Sequence, residues 1–549
     1  TMDENAESIE EDKSLYQQYT EAVQAALADI REDIVDLRSD FNTHLSDVEK
    51  YKAYVTPQMY GAKGDGVQDD TTYLQQAITD GTARGKIVLI PEGSKILWTS
   101  PIFLPSNLIL CINGELVGGT TNNSLLETFD RVTSTPGYSA SHDILICGTG
   151  TVNMQGQTYT TEPTPFRIHH AQNITIKDIT IADVSQYHAI EIGGSKNILI
   201  DGVKFKGMHK SAAQAFFEFV QLEAATEAGA QYAIPYDDTM TVCVTVRNCY
   251  FGASENGGEC YTAIGCHSGV ETESFNHVVF ENNLVDMSIG IPVVFGHDVN
   301  DVKIVGNTFR ETVTDPAPIG GITKCAVVKF LYHCAQTEIK NNDFTSTNAR
   351  FIYFGSSVEA TSVGVVDVSV CSNIFGDYGL GDHSDALGIF ISCGVFNLTI
   401  TDNVFNNSQT YMTKPVHIPA ASLQVSTRLV VANNVFNTEG TLDATNYNRY
   451  TNLSSLTNLY FTTSTSDPAS IQTVWGSIPT GRFVSGVLKT SGSSYSFTGF
   501  KYSETYGAIL LYSYNNPYLY KLICNNGTFT RYDYYDSVTI RDILSSQSP

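Results

Sequence analysis

A short strand-and-bend unit recurs through the middle of this chain, and it leaves few folds open. Each copy opens on two apolar residues separated by one position and closes on Asn, Asp or Gly, as in Ile174-Thr-Ile-Lys-Asp178, Val244-Thr-Val-Arg-Asn248 and Leu398-Thr-Ile-Thr-Asp402. Copies begin at Ile144, Ile174, Ile198, Val244, Val278, Val302, Val368, Leu398 and Leu429, with a degenerate one near Thr337. They recur every 24 to 35 residues, apart from one gap of 46 between Ile198 and Val244. An aromatic follows the bend at Phe205, Phe251, Phe309, Phe344, Phe375, Phe405 and Phe436. A fixed period of this length, built from strand-like units, is a solenoid in which each turn buries its apolar face only against its neighbours. The units are too short to supply the four strands of a propeller blade. Asn at the bend tolerates left-handed backbone and can stack as a side-chain ladder.

Within each turn a second apolar strand recurs: Ala189-Ile-Glu-Ile192, Phe219-Val-Gln-Leu222, Ala263-Ile-Gly-Cys266, Pro292-Val-Val-Phe295, Val327-Val-Lys-Phe330, Phe351-Ile-Tyr-Phe354 and Ile389-Phe-Ile-Ser392. About eleven coils are expected between Lys86 and Thr438.

The flanks read differently. From Leu15 to Tyr51 a heptad seam places Thr20, Leu27, Ile34, Phe41 and Val48 at one core position and Tyr16, Val23, Ile30, Leu37, His44 and Tyr51 at the other. That spacing predicts an α-helical coiled coil, hence homo-oligomerisation, without deciding the number of chains. From Arg449 to Asp536 the chain is rich in Tyr, Ser, Thr and Gly, with a hairpin signal at Asn525-Asn-Gly-Thr. The expected division is a neck over 1–54, a solenoid over 55–445 and a small C-terminal β domain over 446–549.

Bulk properties exclude whole classes. A net charge of −26 argues against nucleic acid, whose binding is driven by Lys and Arg neutralising phosphates, and against anionic membrane surfaces. No apolar run is long enough for a membrane span, and no basic segment followed by an apolar run marks a secretory leader. Eleven Cys lie scattered without CxxC pairs, many within repeat strands (Cys111, Cys147, Cys243, Cys266, Cys371, Cys393), and read as reduced core residues. No zinc spacing, P-loop or dinucleotide fingerprint stands out, so neither a metal nor a cofactor is expected.

Ahead of the first coil stands Tyr60-Gly-Ala-Lys-Gly-Asp-Gly66, then Asp69, Asp70 and Thr71, able to cap a helix carrying Tyr73, Leu74, Ala77 and Ile78, then a strand within Gly85–Gly93 closing in Pro-Glu-Gly. This segment resembles the opening of the pectate-lyase-like superfamily of right-handed parallel β-helices, common in bacteriophage tailspikes and capsule depolymerases. Tyr73 stands where the family often has a small residue. The resemblance implies an all-β fold, a right-handed single-stranded parallel β-helix carrying the coiled-coil neck, and a homotrimer. The C-terminal segment resembles, more loosely, the β knobs of phage and pyocin fibres, whose exposed Tyr rings can stack on sugars. It further implies a virion location, attachment to a phage tail or baseplate protein through the N-terminus, and a bacterial cell-surface polysaccharide as partner.

The over-long turn carries the chemistry. Matching positions on adjacent turns of a parallel sheet lie about 4.8 Å apart. Aligning Val220 with Ile264 puts Glu223 and His267 on one rung, and the extra chain allows Tyr236-Asp237-Asp238-Thr239 to fold over it. Two carboxyls flanking a glycosidic bond suffice for hydrolysis, and a His can tune one of them or act itself. Glu223, Asp237, Asp238 and His267 are the expected catalytic group, with Tyr187, Glu191, Gln221 and Tyr236 binding substrate. Relatives often carry an hQhD/E strand, a D-[NDG]-T loop and an hGxHS strand, here Val220–Glu223, Tyr236–Thr239 and Ile264–Ser268, which implies a sugar-binding and catalytic groove. Few Lys or Arg lie near, so hydrolysis is favoured over the β-elimination of a lyase. A non-catalytic glycan-binding adhesin is the alternative of another class, and a secreted bacterial glycan enzyme a third. Asp382-His-Ser-Asp385 has metal-like spacing without a Cys or Glu partner, His169-His170 reads as structural, and Glu255 and Glu259 border the active loop.

Overall fold

The structure, a computed structural model, describes residues 2–50, 53–119, 125–129, 134–159, 164–185, 187–209, 217–229, 235–286, 288–311, 326–347, 350–378, 387–407, 414–419, 422, 426–432, 434–438 and strands between 458 and 535. Side chains are described for 13–39 of the first helix and for the β-helix as far as 435. The loop Asp382–Asp385 lies outside the described residues.

Two compact units divide at Val55. The first is a helix, α1 (Met2–Lys50). Its 49 residues make it about 74 Å long. Tyr16, Val23, Leu27, Ile30, Ile34 and Leu37 are all exposed along it, on the heptad positions predicted for a seam.

In the second unit α2 (Thr71–Ala83) buries Leu74, Ala77 and Ile78. Asp70, at its N-cap, makes no side-chain cap. Asp70 instead accepts the N–H groups of Lys63 (2.9 Å) and Gly64 (2.9 Å), fixing the glycine loop, while Asp69 accepts from Thr71 N–H at 3.1 Å. A fully buried carboxylate is tolerable here because each oxygen has a donor.

Beyond α2 the chain winds through three sheets, every strand pairing in parallel with its counterpart one turn on. The third sheet has eleven strands, matching the expected coil number. Those around the long turn are β1 (Leu126–Glu127), β2 (Phe166–His169), β3 (His188–Gly193), β4 (Glu218–Glu223), β5 (Thr262–Ser268) and β6 (Val293–Phe295).

The post-bend aromatics form an interior stack: Phe309–Phe344, Phe344–Phe375 and Phe375–Phe405 have ring centroids 4.9, 5.0 and 4.7 Å apart. The bend itself divides its labour between neighbours. Asn282, Asn341 and Asp402 take the left-handed backbone, and the residue after each, Asn283, Asn342 and Asn403, is a buried ladder rung. Asn342 Nδ2 donates to Asn373 Oδ1 at 3.0 Å, and Asn373 Nδ2 to Asn403 Oδ1 at 2.9 Å. Of the nine cysteines described, none is in a disulfide; Cys266 and Cys393 are buried as expected, whereas Cys111, Cys147, Cys243 and Cys371 are half-buried.

Near the C-terminus six strands form one sheet, a parallel pair (Asn458–Thr462 with Arg482–Thr490) followed by an antiparallel meander to Tyr535. The strands flanking the Asn-Gly signal pair as a hairpin, Asn525 opposite Thr528. The tyrosine side chains of this sheet lie outside the described residues.

Candidate active site

Strands β3, β4 and β5 lie side by side with Ile190, Val220 and Ile264 in register, all buried inside the helix. Glu191, Gln221 and Gly265 form the next rung, on the outer face. Two residues on, the expected register fails. A bulge after Leu222 pairs Glu223 with Ser268, so His267 is the extra residue of β5 and not the partner of Glu223 on a shared rung. Bulges re-aim side chains, and this one turns the imidazole back over β4. His267 Nδ1 lies 3.5 Å from Glu223 Oε1 and 3.2 Å from Gln221 Nε2. Ser268 N–H donates to Glu223 Oε2 at 3.0 Å, and Gln221 Nε2 donates to Glu223 Oε1.

The other imidazole nitrogen has a partner that alternation hides. Phe219 packs inside against Phe205 (5.4 Å) and Phe251 (5.8 Å), and the next residue, Val220, is also buried. Two successive inward residues break the period of two and turn Glu218 outward. Its carboxylate accepts from His267 Nε2 at 2.8 Å and lies 3.2 Å from His188 Nδ1. Gly265 makes the room: a Cβ there would sit 2.8 Å from Glu218 Cγ.

Charge states diverge across this cluster. Burial pushes the Glu223 carboxyl up to about 8, helped by nearby Glu191 and opposed by His267, Gln221 and Ser268. Burial would raise Glu218 as well, but His267 and His188 hold it at about 2. Glu191 is likewise held at about 2 against its burial by His169, 2.9 Å away, and by Arg167 at 3.4 Å. Burial opposes charge on His267, yet Glu218 wins and its pKa is raised. At neutral pH a protonated acid therefore sits among ionised carboxylates, a separation of roles typical of acid–base sites.

The loop acids are placed differently from one another. Thr239 O accepts from Ala225 N–H (2.8 Å) and Asp238 N–H donates to Ala225 O (3.1 Å), so the loop lies against the end of β4. Asp237 accepts from Gly137 N–H at 2.7 Å and Thr239 N–H at 3.2 Å; these bonds, the Gly137 one foremost, hold its carboxyl below the usual range against its partial burial. Asp238, in left-handed backbone, is exposed. Among the described residues neither acid is hydrogen-bonded to Glu223 or His267. Tyr236 is 43% exposed on this loop, and Tyr187 lies 5.8 Å from the His188 ring, at the edge of the cluster. Glu259 accepts the Tyr261 hydroxyl at 2.9 Å and stands apart from it. Sequence reasoning missed Glu218, His188 and Arg167; the available signal was an acid inside the aromatic run Phe216-Phe-Glu-Phe219. Among the described residues no group of His, Cys, Asp and Glu has the geometry to hold a metal.

Residues 56–259 match the family model described as rhamnogalacturonase A/epimerase, pectate lyase-like. A plasmin and fibronectin-binding protein A of Streptococcus pneumoniae is 29% identical over 404 residues, covering 68% of this chain and 52% of that protein. A capsule K30/K69-specific depolymerase of Klebsiella phage K5-2 is 34% identical over 80 residues, 15% of this chain and 10% of its own. The chain thus spans about half the length of the pneumococcal relative and a tenth of the phage one. Among solved structures, the S. pneumoniae surface protein and adhesin PfbA superposes with a TM-score of 0.58 at 25% identity, over 70% of this chain and 98% of that one. The tailspike of E. coli bacteriophage HK620, in complex with a pentasaccharide, superposes with a TM-score of 0.50 at 15% identity, over 89% and 93%. Matched residues, stacked parallel sheets and superposable structures agree on the fold: the body of this chain is a parallel β-helix, and its residues 56–259 are similar to the pectate-lyase-like family.

Proposed function

We propose that the outer face of the third sheet binds and hydrolyses a bacterial surface polysaccharide, with Glu223 as the general acid. The observation that carries this reading is the Glu223 carboxyl, pushed up to about 8 beside Glu218 and Glu191 at about 2. A carboxylic acid kept neutral at pH 7 can protonate a leaving glycosidic oxygen, and a second carboxylate then activates water or attacks the sugar. Glu218 and Glu191 are each engaged by two basic groups and set the charge of the site. Asp237 is engaged by Gly137 and Thr239, which leaves exposed Asp238 as the second carboxylate we assign. His267 tunes the acid, and Gln221, whose buried Oε1 accepts no hydrogen bond in the described structure, orients a sugar hydroxyl together with Glu191. Tyr187 and Tyr236 wall the sugar. Elimination is the weaker assignment, because Arg167, two strands from β4 on this sheet, is committed to Glu191 and Glu127 (3.8 Å).

The phage depolymerase relative and the tailspike fold support a homotrimeric tailspike or receptor-binding protein, joined to a phage tail protein through its N-terminus and acting at the host surface. One observation favours a second reading, a binding-only adhesin: the pneumococcal relative is a plasmin and fibronectin-binding protein. Reducing-end release from purified capsular polysaccharides separates the two. Release without absorbance near 232 nm is expected; binding without release supports the adhesin, and release with that absorbance a lyase.

A further inference from the structure

Outside the carboxylate cluster, one buried side chain makes a pair of contacts that its neutral form cannot satisfy. His170 follows β2 in left-handed backbone, and its side chain is wholly buried. Nδ1 lies 2.7 Å from Gly137 O, and Nε2 lies 3.1 Å from Pro235 O. Both partners are carbonyl oxygens, which only accept. A neutral imidazole carries one N–H, whereas the imidazolium carries two. Only the imidazolium can donate to both carbonyls at once.

The two carbonyls belong to separate segments, 33 and 65 residues from His170 in sequence. The Gly137 peptide is held at both ends, its C=O by His170 and its N–H by Asp237. Asp237 supplies the counter-charge, since His170 is among the groups that favour its ionised form. Tyr138 Oη closes the same junction by donating to Met240 O at 2.9 Å. Among the described residues, the other titratable and charged groups at this junction are Tyr138, Lys196 with Nζ 5.9 Å from the Tyr138 ring, Cys243, and the adjacent His169 with its Glu191 partner. From Pro235 the chain runs directly into Asp237, Asp238 and Thr239, and Thr241 Oγ1 donates to Glu223 O at 2.6 Å.

We propose that His170, as an imidazolium, is a pH-responsive clasp that holds the 235–239 loop, and with it Asp237 and Asp238, against the end of β4. Loss of its proton leaves one carbonyl without a donor and frees the loop from the Gly137 segment. His170 is a positioning residue that never touches the sugar. Its consequence for cleavage rests on the glycan-hydrolase reading; the clasp itself does not.

Hydrogen exchange of the full chain, read by mass spectrometry in peptides over 134–140 and 235–241, tests the clasp without any glycan. After correction for intrinsic exchange, wild type is expected to exchange these amides about tenfold faster at pH ~9 than at pH ~5, the range in which a histidine titrates. His170→Ala should exchange fast at both pH values. His170→Gln, neutral throughout yet able to donate from its amide, guards against a folding failure and should show no pH difference. Equal protection of wild type at both pH values, or a wild-type pH difference retained in either variant, overturns the clasp. A chain that shows the clasp but cleaves no polysaccharide would sink the hydrolase reading and leave this inference standing.

Discussion

Glu218 and Glu223 occupy opposite nitrogens of the His267 imidazole, at 2.8 and 3.5 Å, and they end in opposite charge states. One ring thus serves an ionised carboxylate on one side and a neutral carboxyl on the other. The difference follows from their surroundings. Glu218 has two imidazoles around it, whereas Glu223 shares His267 and feels the Glu191 charge as well.

Glu223→Gln keeps the shape and removes the proton. Polysaccharide cleavage is expected to fall by about 10²–10⁴-fold, the contribution of a positioned general acid, while folding is retained. Steady-state rates beside a thermal melt check this. A loss below tenfold would move the acid role elsewhere.

The same carboxyl makes stability fall with pH. Its folded value, about 8, lies above the ordinary 4.5, so the folded state holds a proton that the unfolded state releases. The stabilisation is complete below pH 4.5 and is lost as pH rises towards 8, at up to about 1.4 kcal/mol per pH unit. Melts across this window should decline in wild type and flatten in Glu223→Gln.

Gly265→Ala tests the clearing. The new methyl meets Glu218 Cγ at 2.8 Å, so Glu218 must leave His267 or the strand must shift. The expected cost is about 1–3 kcal/mol, with cleavage reduced more than stability predicts. Unchanged kinetics and a wild-type His267 titration would show that the Glu218 contact is dispensable.

Asn373→Ala removes an interior rung. Asn373 Nδ2 donates to Ile339 O and Asn403 Oδ1, and its Oδ1 accepts from Asn342 N–H and Nδ2. With several buried groups orphaned, about 3 kcal/mol of destabilisation is expected in chemical denaturation. Asn300→Ala, on an exposed pair 3.4 Å from Asn276, should change stability by less than about 0.5 kcal/mol.

The exposed seam of α1 predicts assembly. Ile30→Asp and Leu37→Asp together should lower the mass measured by light scattering from that of an oligomer to that of one chain. A single-chain wild type would contradict the neck.

The repeat was legible because each coil restates it: apolar positions such as Ile174, Ile198 and Val244 are true register partners. The apolar anchors Val220 and Ile264 sufficed to bring Glu223 and His267 together. The bulge that sets their actual contact was not legible, since no residue type marks the slip at Leu222. Glu218 was hidden by two successive inward residues. His170 was hidden by distance, because both of its carbonyl partners come from segments far along the chain.

The basic limb of the pH–rate profile for kcat/KM tests the central claim most directly. With Glu223 as the acid, the rate on a cleaved polysaccharide is expected to fall with a midpoint near its folded value of about 8. A profile that stays flat past that value, or the same limb surviving in the residual activity of Glu223→Gln, would contradict the assignment.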